Sequence, residues 1–384
     1  MKILFHVQHL LGIGHDRRAA LVVRGLTAAG AAVTLARGGH PVPGVDYGSA
    51  AVIQLPPVRA ADGSFKTLLD EHGHPIDDGW RERRRAAALA AFESVRPDVL
   101  LVESFPFARR AFRFELIPLL QAARERGVRT AVSVRDILVT KPDPARLAEV
   151  VDTITGLVDR VLVHGDPALI PFDATFPAAE RIRDRIVYTG YVAAPPPAVA
   201  DGGDGTDEVV VSVGGGAVGV PLLRAALGAR ALTAARDGVW RLLAGPDVPE
   251  SDVAALAADA PPGVIVERAR RDFPALLARC RLSVSQAGYN TVMDLLQAGC
   301  RAVVVPFAAG GETEQATRAR LLAGRGRLTV VDEGTLSPAT LAAGIDQALS
   351  APPPPPVPMA LDGAAQTARI LMSRFIPELK SSGL

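Results

Sequence analysis

The chain has 384 residues, of which 48% are hydrophobic and only 5% aromatic; that length accommodates two ordinary domains, and that balance suits Ala-, Val- and Leu-rich α/β cores. Its 42 basic and 41 acidic residues leave a net charge of +1, which excludes the global field that gathers nucleic acid or anionic membrane and points to small-molecule partners. Two cysteines, Cys280 and Cys300, are too few for a disulfide framework, no Cys/His cluster has zinc spacing, and both read as small core hydrophobes in a reducing cytosol.

The opening run MKILFHVQHL is strand-like but broken by His6, Gln8 and His9, and it lacks the length and cleavage site of a signal peptide. No segment reaches the ~18 uninterrupted apolar residues of a spanning helix. A cytoplasmic protein is expected, with peripheral membrane contact through a local apolar patch left open. After the strand at residues 2–7 comes a helix over about 16–29, closed by Gly30, with Ala19, Val22, Val23 and Leu26 as its apolar stripe. Strands follow at 32–36, 52–55, 99–102, 130–134 and 160–163. The helices between them give βαβ units and hence a parallel, doubly wound sheet spanning residues 1–192. RERRR at 81–85 reads as plain helix surface.

Residues 193–207, AAPPPAVADGGDGTD, carry no apolar period and have the composition of an exposed linker. A second α/β series spans 208–358, with strands at 208–213, 240–244, 264–266, 282–285, 303–305 and 329–331. Two such domains on one linker imply a cleft. APPPPPVP at 351–358 can be neither helix nor central strand and reads as a second crossing, so that 359–384 forms a terminal segment with a helix over 366–375.

Four loops carry candidate chemistry. In QHLLGIGHDRR, residues 8–18, Gly12 and Gly14 leave room for a substrate close to the backbone. His15 stands at the positive end of the following helix, which favours a neutral imidazole able to take a proton from an attacking hydroxyl. A lone His near a helix start is also a common hydrogen-bonding loop residue. ESFPFARRAFRFELIPLL (103–120) and SVRDIL (133–138) each leave or end a strand, and Glu103, Arg109, Arg135 and Asp136 are candidates to surround an acceptor, the arginines as two-pronged clamps. Alternatively Arg109, Arg110 and Arg113 line a solvated helix face while Arg135 pairs with Asp136.

GGGAVG at 214–219 follows a strand, and the N–H groups of Gly215 and Gly216 can approach a diphosphate. Gly214, Gly216 and Gly219 also satisfy G-x-G-x-x-G. The acid that a dinucleotide fold needs about 20 residues on is missing, since Asp237 precedes the next strand and Asp247 lies too far away, which argues against a dehydrogenase. The fourth stretch, 283–333, reads as strand, Gly turn, helix, strand, polar loop, helix, strand. Gln286 and Gly288 lead into a helix near Asn290 and Thr291 whose N–H groups can face a diphosphate, and Asp294, one turn in, can accept both hydroxyls of a ribose. Glu314 and Gln315 end a loop that leaves the carboxyl end of a buried strand, where open α/β sheets bind ligands. Thr291 and Asp294 equally fit a capping box, and Glu314 and Gln315 the solvated first turn of a helix.

The segment from Ser283 to Glu333 resembles the donor-binding half of GT-B glycosyltransferases, most nearly the peptidoglycan N-acetylglucosaminyltransferases that form lipid II and their little-characterised relatives. The resemblance covers most of the second domain and, in the first, mainly the opening loop. It implies a GT-B fold: two doubly wound Rossmann-like domains facing a cleft, with a C-terminal helix returning to the first. It further implies a nucleotide-sugar donor, a UDP-linked hexose or N-acetylhexosamine, transferred with inversion to a small-molecule or lipid-linked acceptor. On this reading Gly14, Gly215, Gly216, Gln286, Gly288, Asn290 and Thr291 hold the donor, Asp294 the ribose, Glu314 and Gln315 the sugar, and Arg270, in the loop ERARRDF, the nucleobase. His15 acts as base, with Glu103, Arg109, Arg135 and Asp136 around the acceptor. No Asp-x-Asp motif is present, so neither metal nor a separate cofactor is expected. A nucleotide-sugar hydrolase or 2-epimerase on the same fold, and a noncatalytic nucleotide-binding protein, are the alternatives.

Overall fold

The computed structural model describes residues 1–10, 14–42, 44–61, 67–138, 143–195, 202–214, 219–308, 313–355 and 360–374. The chain divides into two compact units, Met1–Ala193 with Met359–Leu384, and Ala194–Pro358.

The first unit runs β1 (Lys2–Val7), α1 (Gly14–Ala28), β2 (Ala32–Arg37), β3 (Ala51–Gln54), the short β4 (Arg59–Ala60) and β5 (Leu68–Leu69), α2 (Asp78–Val95), β6 (Val99–Glu103), α3 (Arg113–Glu125), β7 (Arg129–Arg135), α4 (Pro144–Leu157), β8 (Arg160–His164) and β9 (Ile186–Tyr188). Seven parallel strands form one sheet in the order β3-β2-β1-β6-β7-β8-β9. Strands such as VLLVE in β6 are buried throughout because helices cover both faces, which is why they read as continuous apolar runs. Ala19, Val22, Val23 and Leu26 of α1 pack on Ile3, Phe5 and Val7. Helix starts are set by local chemistry: Asp77 caps α2 by accepting from the Trp80 N–H at 2.6 Å, and Asp143 caps α4 with Pro144 at its first position. The strand order reverses between β1 and β6, so their carboxyl ends mark the topological switch point at which such sheets bind ligands. The β4–β5 hairpin and β9 escape sequence reading because two or three residues show no alternation.

The second unit runs β10 (Val209–Ser212), α5 (Val220–Arg230), β11 (Trp240–Ala244), α6 (Glu250–Ala258), β12 (Val264–Arg268), α7 (Phe273–Arg279), β13 (Leu282–Ser285), α8 (Tyr289–Ala298), β14 (Ala302–Val304), α9 (Glu314–Ala323), β15 (Thr329–Val330) and α10 (Pro338–Ser350). Its six parallel strands are ordered β12-β11-β10-β13-β14-β15, with the switch point between β10 and β13. The stretch read as linker is partly built into this unit: Arg279 donates from Nη2 to the Asp204 carbonyl at 2.7 Å, and a Cβ on Gly205 would stand 2.9 Å from the Leu276 backbone.

α11 (Gly363–Arg374) closes the first unit. It starts three residues earlier than its apolar pattern suggests, because the chain pairs with the segment after β9: Tyr191 N–H donates to Ala360 O at 2.7 Å and Gly363 N–H to Tyr191 O at 3.0 Å. Ala368 and Leu371 are buried against α1. Gly25 permits this approach, since a Cβ there would lie 2.8 Å from the Ala364 carbonyl oxygen.

The reading of RERRR as helix surface is corrected at one residue. Arg84 is fully buried, donates from Nε and Nη2 to Glu115 at 2.7 and 3.1 Å, and reaches Gln8 Oε1 at 2.7 Å and Gly38 O at 3.0 Å. A guanidinium can be enclosed when a carboxylate and backbone carbonyls satisfy its donors, which a run of charged letters cannot show.

Leu371→Ala should lower the stability of the first unit by about 2–5 kcal/mol, the scale for emptying a buried leucine site. Denaturant titration followed by Trp80 fluorescence in a Trp240→Phe background checks this, and an unchanged midpoint would show that α11 does not close that core.

Candidate functional site

At the switch point of the first unit, β1 leads towards α1 and β6 ends in Glu103. His15, in the first turn of α1, places Nδ1 3.0 Å from Glu103 Oε1, and its side chain is 16% exposed against none for Glu103. Arg18, one turn further along α1, also donates to Glu103 Oε1. Oε2 accepts from Ser133 Oγ at 2.8 Å. This carboxylate therefore has both oxygens occupied. Burial opposes its ionisation, but Arg18, His15 and Ser133 outweigh that and hold its pKa well below the usual carboxylate range. The His15 pKa is lowered to about 3, first by burial and then by Arg109, with smaller contributions from Arg135 and Arg18, against the opposing bond to Glu103. The imidazole is neutral, with Nδ1–H donating to Glu103 and Nε2 left as the basic nitrogen.

The expected acceptor residues divide. Arg109 adopts φ 61, donates from Nε to Gln8 O at 2.9 Å, and has a pKa brought down to about 10, chiefly by burial. Arg135 is half-buried at the end of β7. Both guanidiniums depress the His15 pKa. Glu103 and Asp136 differ from expectation, because both are enclosed. Glu103 is committed to His15 and Arg18, while Asp136 accepts from Tyr191 Oη at 3.0 Å and from the Ile137 N–H at 2.9 Å. Arg110 and Arg113 pair with Glu149 on the surface at 2.8 and 2.9 Å, as the solvated alternative for those two had it.

Sequence reading missed the groups behind Glu103. Ser133 Oγ stands 2.8 Å from His164 Nε2, and His164 Nδ1 2.8 Å from Thr189 Oγ1. The available signal was a polar residue at or near the carboxyl end of three successive Val- and Leu-rich strands.

In the second unit, Gly288 is the N-cap of α8 with φ −62 and ψ 149, and no side chain caps the helix. Any residue adopts that backbone conformation, so the turn itself does not require glycine. Packing does not require it either, as a Cβ there would meet nothing within 4 Å, and the N–H groups of Tyr289, Asn290 and Thr291 gather at this end. Thr291 is the third helical residue and not the N-cap, which removes the capping-box reading of Thr291 and Asp294. Asp294 lies half-buried further along the same helix, and Gln286, Asn290 and Thr291 are also half-buried.

Gln315 Oε1 accepts from the Ala287 N–H at 3.0 Å and the Phe307 N–H at 3.1 Å, tying the turn before α8 to the loop after β14 and orienting the amide. Glu314 is buried and bonds Arg318 Nη2 at 2.8 Å, with Arg318 lying 5.4 Å from the Tyr289 ring centroid; it is not a solvated first-turn residue. Arg270, expected at the nucleobase, is paired with Asp272 at 2.9 and 2.7 Å and with Asp204 at 2.5 Å. Gly14 opens α1, whereas Gly12, Gly215 and Gly216 lie outside the described residues. Among the described residues no group of three or more His, Cys, Asp or Glu is placed to hold a metal ion, and no helix is long and apolar enough to cross a membrane.

Residues 210–371 match the glycosyltransferase family 28 C-terminal domain. The chain is 30% identical over 201 residues to the UDP-N-acetylglucosamine–N-acetylmuramyl-(pentapeptide) pyrophosphoryl-undecaprenol N-acetylglucosamine transferase of Ralstonia nicotianae, a match covering 50% of this chain and 53% of that protein. The chain thus spans about half or less of the length of the curated relatives it matches. Among solved structures, the glycotransferase of kitacinnamycin superposes with a TM-score of 0.66 at 18% identity, covering 98% of this chain and 99% of that one. MurG of Acinetobacter baumannii superposes at 0.57 and 16%, covering 96% and 95%. The fold is GT-B, and the chain resembles the lipid II-forming branch.

His15 and His164 are neutral in the fold, each with a pKa lowered to about 3, whereas both titrate near 6.5 once unfolded. Between those values the unfolded chain binds protons that the folded chain does not. Their contribution to stability is therefore present above pH 6.5 and is lost as pH falls towards 3; Glu103, with a depressed pKa, adds a loss below its ordinary 4.5. The melting temperature should drop on going from about pH 7 to about pH 5, and drop less in a His164→Asn variant. Equal slopes in both proteins would show that His164 is not held neutral.

Proposed function

We propose that the chain is an inverting glycosyltransferase that moves a hexose or N-acetylhexosamine from a nucleotide sugar, UDP-linked, to an acceptor hydroxyl. The observation that carries this reading is the His15–Glu103 pair at the switch point of the first unit, in a chain whose second unit matches a glycosyltransferase domain in sequence. Glu103 holds the Nδ1–H, so Nε2 takes the acceptor proton as the oxygen attacks the anomeric carbon. The sugar–phosphate bond breaks on the opposite face, and the charge on the departing diphosphate is met by N–H groups at the start of α8. Asp294 accepts from the ribose, the oriented Gln315 amide and Glu314 address the sugar, and Arg109 with Arg135 draws an anionic acceptor. The named activity of the Ralstonia relative favours a UDP-linked N-acetylhexosamine donor and a lipid-linked acceptor. A cytoplasmic site of action and chemistry without a metal ion belong to the same proposal.

Incubation with a panel of UDP- and dTDP-sugars, with and without cell extract, tests it. Nucleotide release only with extract supports transfer, and release without any acceptor assigns a hydrolase or epimerase instead. His15→Ala should lower turnover by ~100-fold with donor affinity little changed, the size of a general-base contribution. Because the His15 pKa is about 3, the wild-type rate should show no acid limb from this group above about pH 4.

Asp294→Ala should weaken UDP binding by ~1–3 kcal/mol, the scale of a lost charge-assisted hydrogen-bond pair. Calorimetry measures it; unchanged affinity would remove Asp294 from the ribose.

A further inference from the structure

Glu103 Oε2 is the end of a row of buried polar groups along the carboxyl edge of the first unit's sheet. Ser133, His164 and Thr189 are 0%, 0% and 2% exposed. The contacts run Glu103 Oε2 to Ser133 Oγ, Ser133 Oγ to His164 Nε2, and His164 Nδ1 to Thr189 Oγ1, each 2.8 Å, and Thr189 Oγ1 to Gly190 O, also 2.8 Å. Thr189 Oγ1 also lies 3.4 Å from Val163 O, a second carbonyl for the same hydroxyl. Two hydroxyls and one neutral imidazole bring three protons to the four contacts of 2.8 Å, so one of those has no proton between its atoms.

Electrostatics decides which. Leaving the Ser133–Glu103 contact without a proton would set a hydroxyl lone pair against a buried carboxylate, which loses a charge-assisted bond and adds repulsion. A bare contact on either side of His164 would leave a buried ring nitrogen with no donor, whereas leaving Thr189 Oγ1 against Gly190 O sets two neutral oxygens together, the smaller loss, and Val163 O keeps the Thr189 and Gly165 N–H groups at 3.0 Å. A doubly protonated His164 would fill all four contacts, but burial and then Arg18 disfavour the cation there, and the pKa stands at about 3.

We infer that Ser133, His164 and Thr189 form a one-way hydrogen-bond chain whose protons all point to Glu103: Thr189 O–H to His164 Nδ1, His164 Nε2–H to Ser133 Oγ, and Ser133 O–H to Glu103 Oε2. The chain anchors the far oxygen of the carboxylate, so that the near oxygen faces the His15 Nδ1–H and Nε2 of His15 stays bare. These three are positioning residues, since none needs to touch a substrate. Only the kinetic consequence rests on the proposed glycosyl transfer.

Nitrogen-15 NMR of histidine-labelled protein tests it, with His15→Gln and His164→Gln variants used to assign signals. In the wild type His164 should appear as the neutral Nε2–H form and His15 as the neutral Nδ1–H form. His164 found as Nδ1–H, or as imidazolium near neutral pH, overturns the chain. Ser133→Ala removes a donor to Glu103 and makes the carboxylate a stronger partner for a protonated His15, so the His15 titration should move upward. Turnover should also fall roughly 10-fold with KM for the donor unchanged, a part of the general-base contribution, and Ser133→Thr should restore both. Should Ser133→Ala not fold, the wild-type tautomers decide the question by themselves. Correct tautomers in a protein that turns over no nucleotide sugar would keep the chain and sink the transfer reading. Turnover with His164 as Nδ1–H would do the reverse.

Discussion

The first unit is organised around one ionised carboxylate taken out of water. Glu103 sits at the end of β6, at the point where the strand order reverses, and enclosing it is costly unless its charge is met. Arg18, His15 and Ser133 meet it, from α1 and β7. That demand explains several otherwise separate features: why α1 carries a buried arginine one turn after its histidine, why Arg109 and Arg135 gather nearby, and why the strands beyond β6 end in polar residues. Burial and the surrounding arginines keep the His15 imidazole neutral against the pull of that charge, while Glu103 fixes which ring nitrogen carries the proton, so the basic nitrogen is available at any physiological pH.

A second buried pair supports the first from behind. Arg84 and Glu115 join α2 to α3, and Arg84 also holds the side chain of Gln8 and the carbonyl of Gly38, at the ends of β1 and β2. Removing either partner would strand a buried charge. The switch point of the first unit is thus backed by a second buried ion pair.

The second unit solves a different problem with different means. Where the first stabilises a fixed negative charge, the second presents the positive end of α8, where no side chain caps the helix. Gln315 secures this arrangement by accepting from backbone N–H groups on both neighbouring loops. Glu314 stands in the same way on Arg318, which reaches back to Tyr289 at the head of α8. The residues proposed to address the sugar are therefore also those that hold the turn before α8 in place.

Most of the fold was legible from local signals. Apolar runs of β-branched residues separated by helical stripes specify buried parallel strands, and the bounds of β11 and β13 agree with the sequence reading to the residue. His15, the N-terminal end of α8, Glu314 and Gln315 were legible for the same reason, as polar residues directly after a strand or at a helix start. What the sequence could not determine was direction and enclosure. RERRR contains a fully buried arginine, Glu103 and Asp136 turn inward although they end or follow strands that lead to a ligand edge, and Ser133 and His164 become neighbours only because β7 and β8 lie side by side. Periodicity reports which face of an element is apolar, a property of residues a few positions apart. Whether a charged side chain faces solvent or a partner dozens of residues away depends on strand order and register, and those exist only once the sheet has formed.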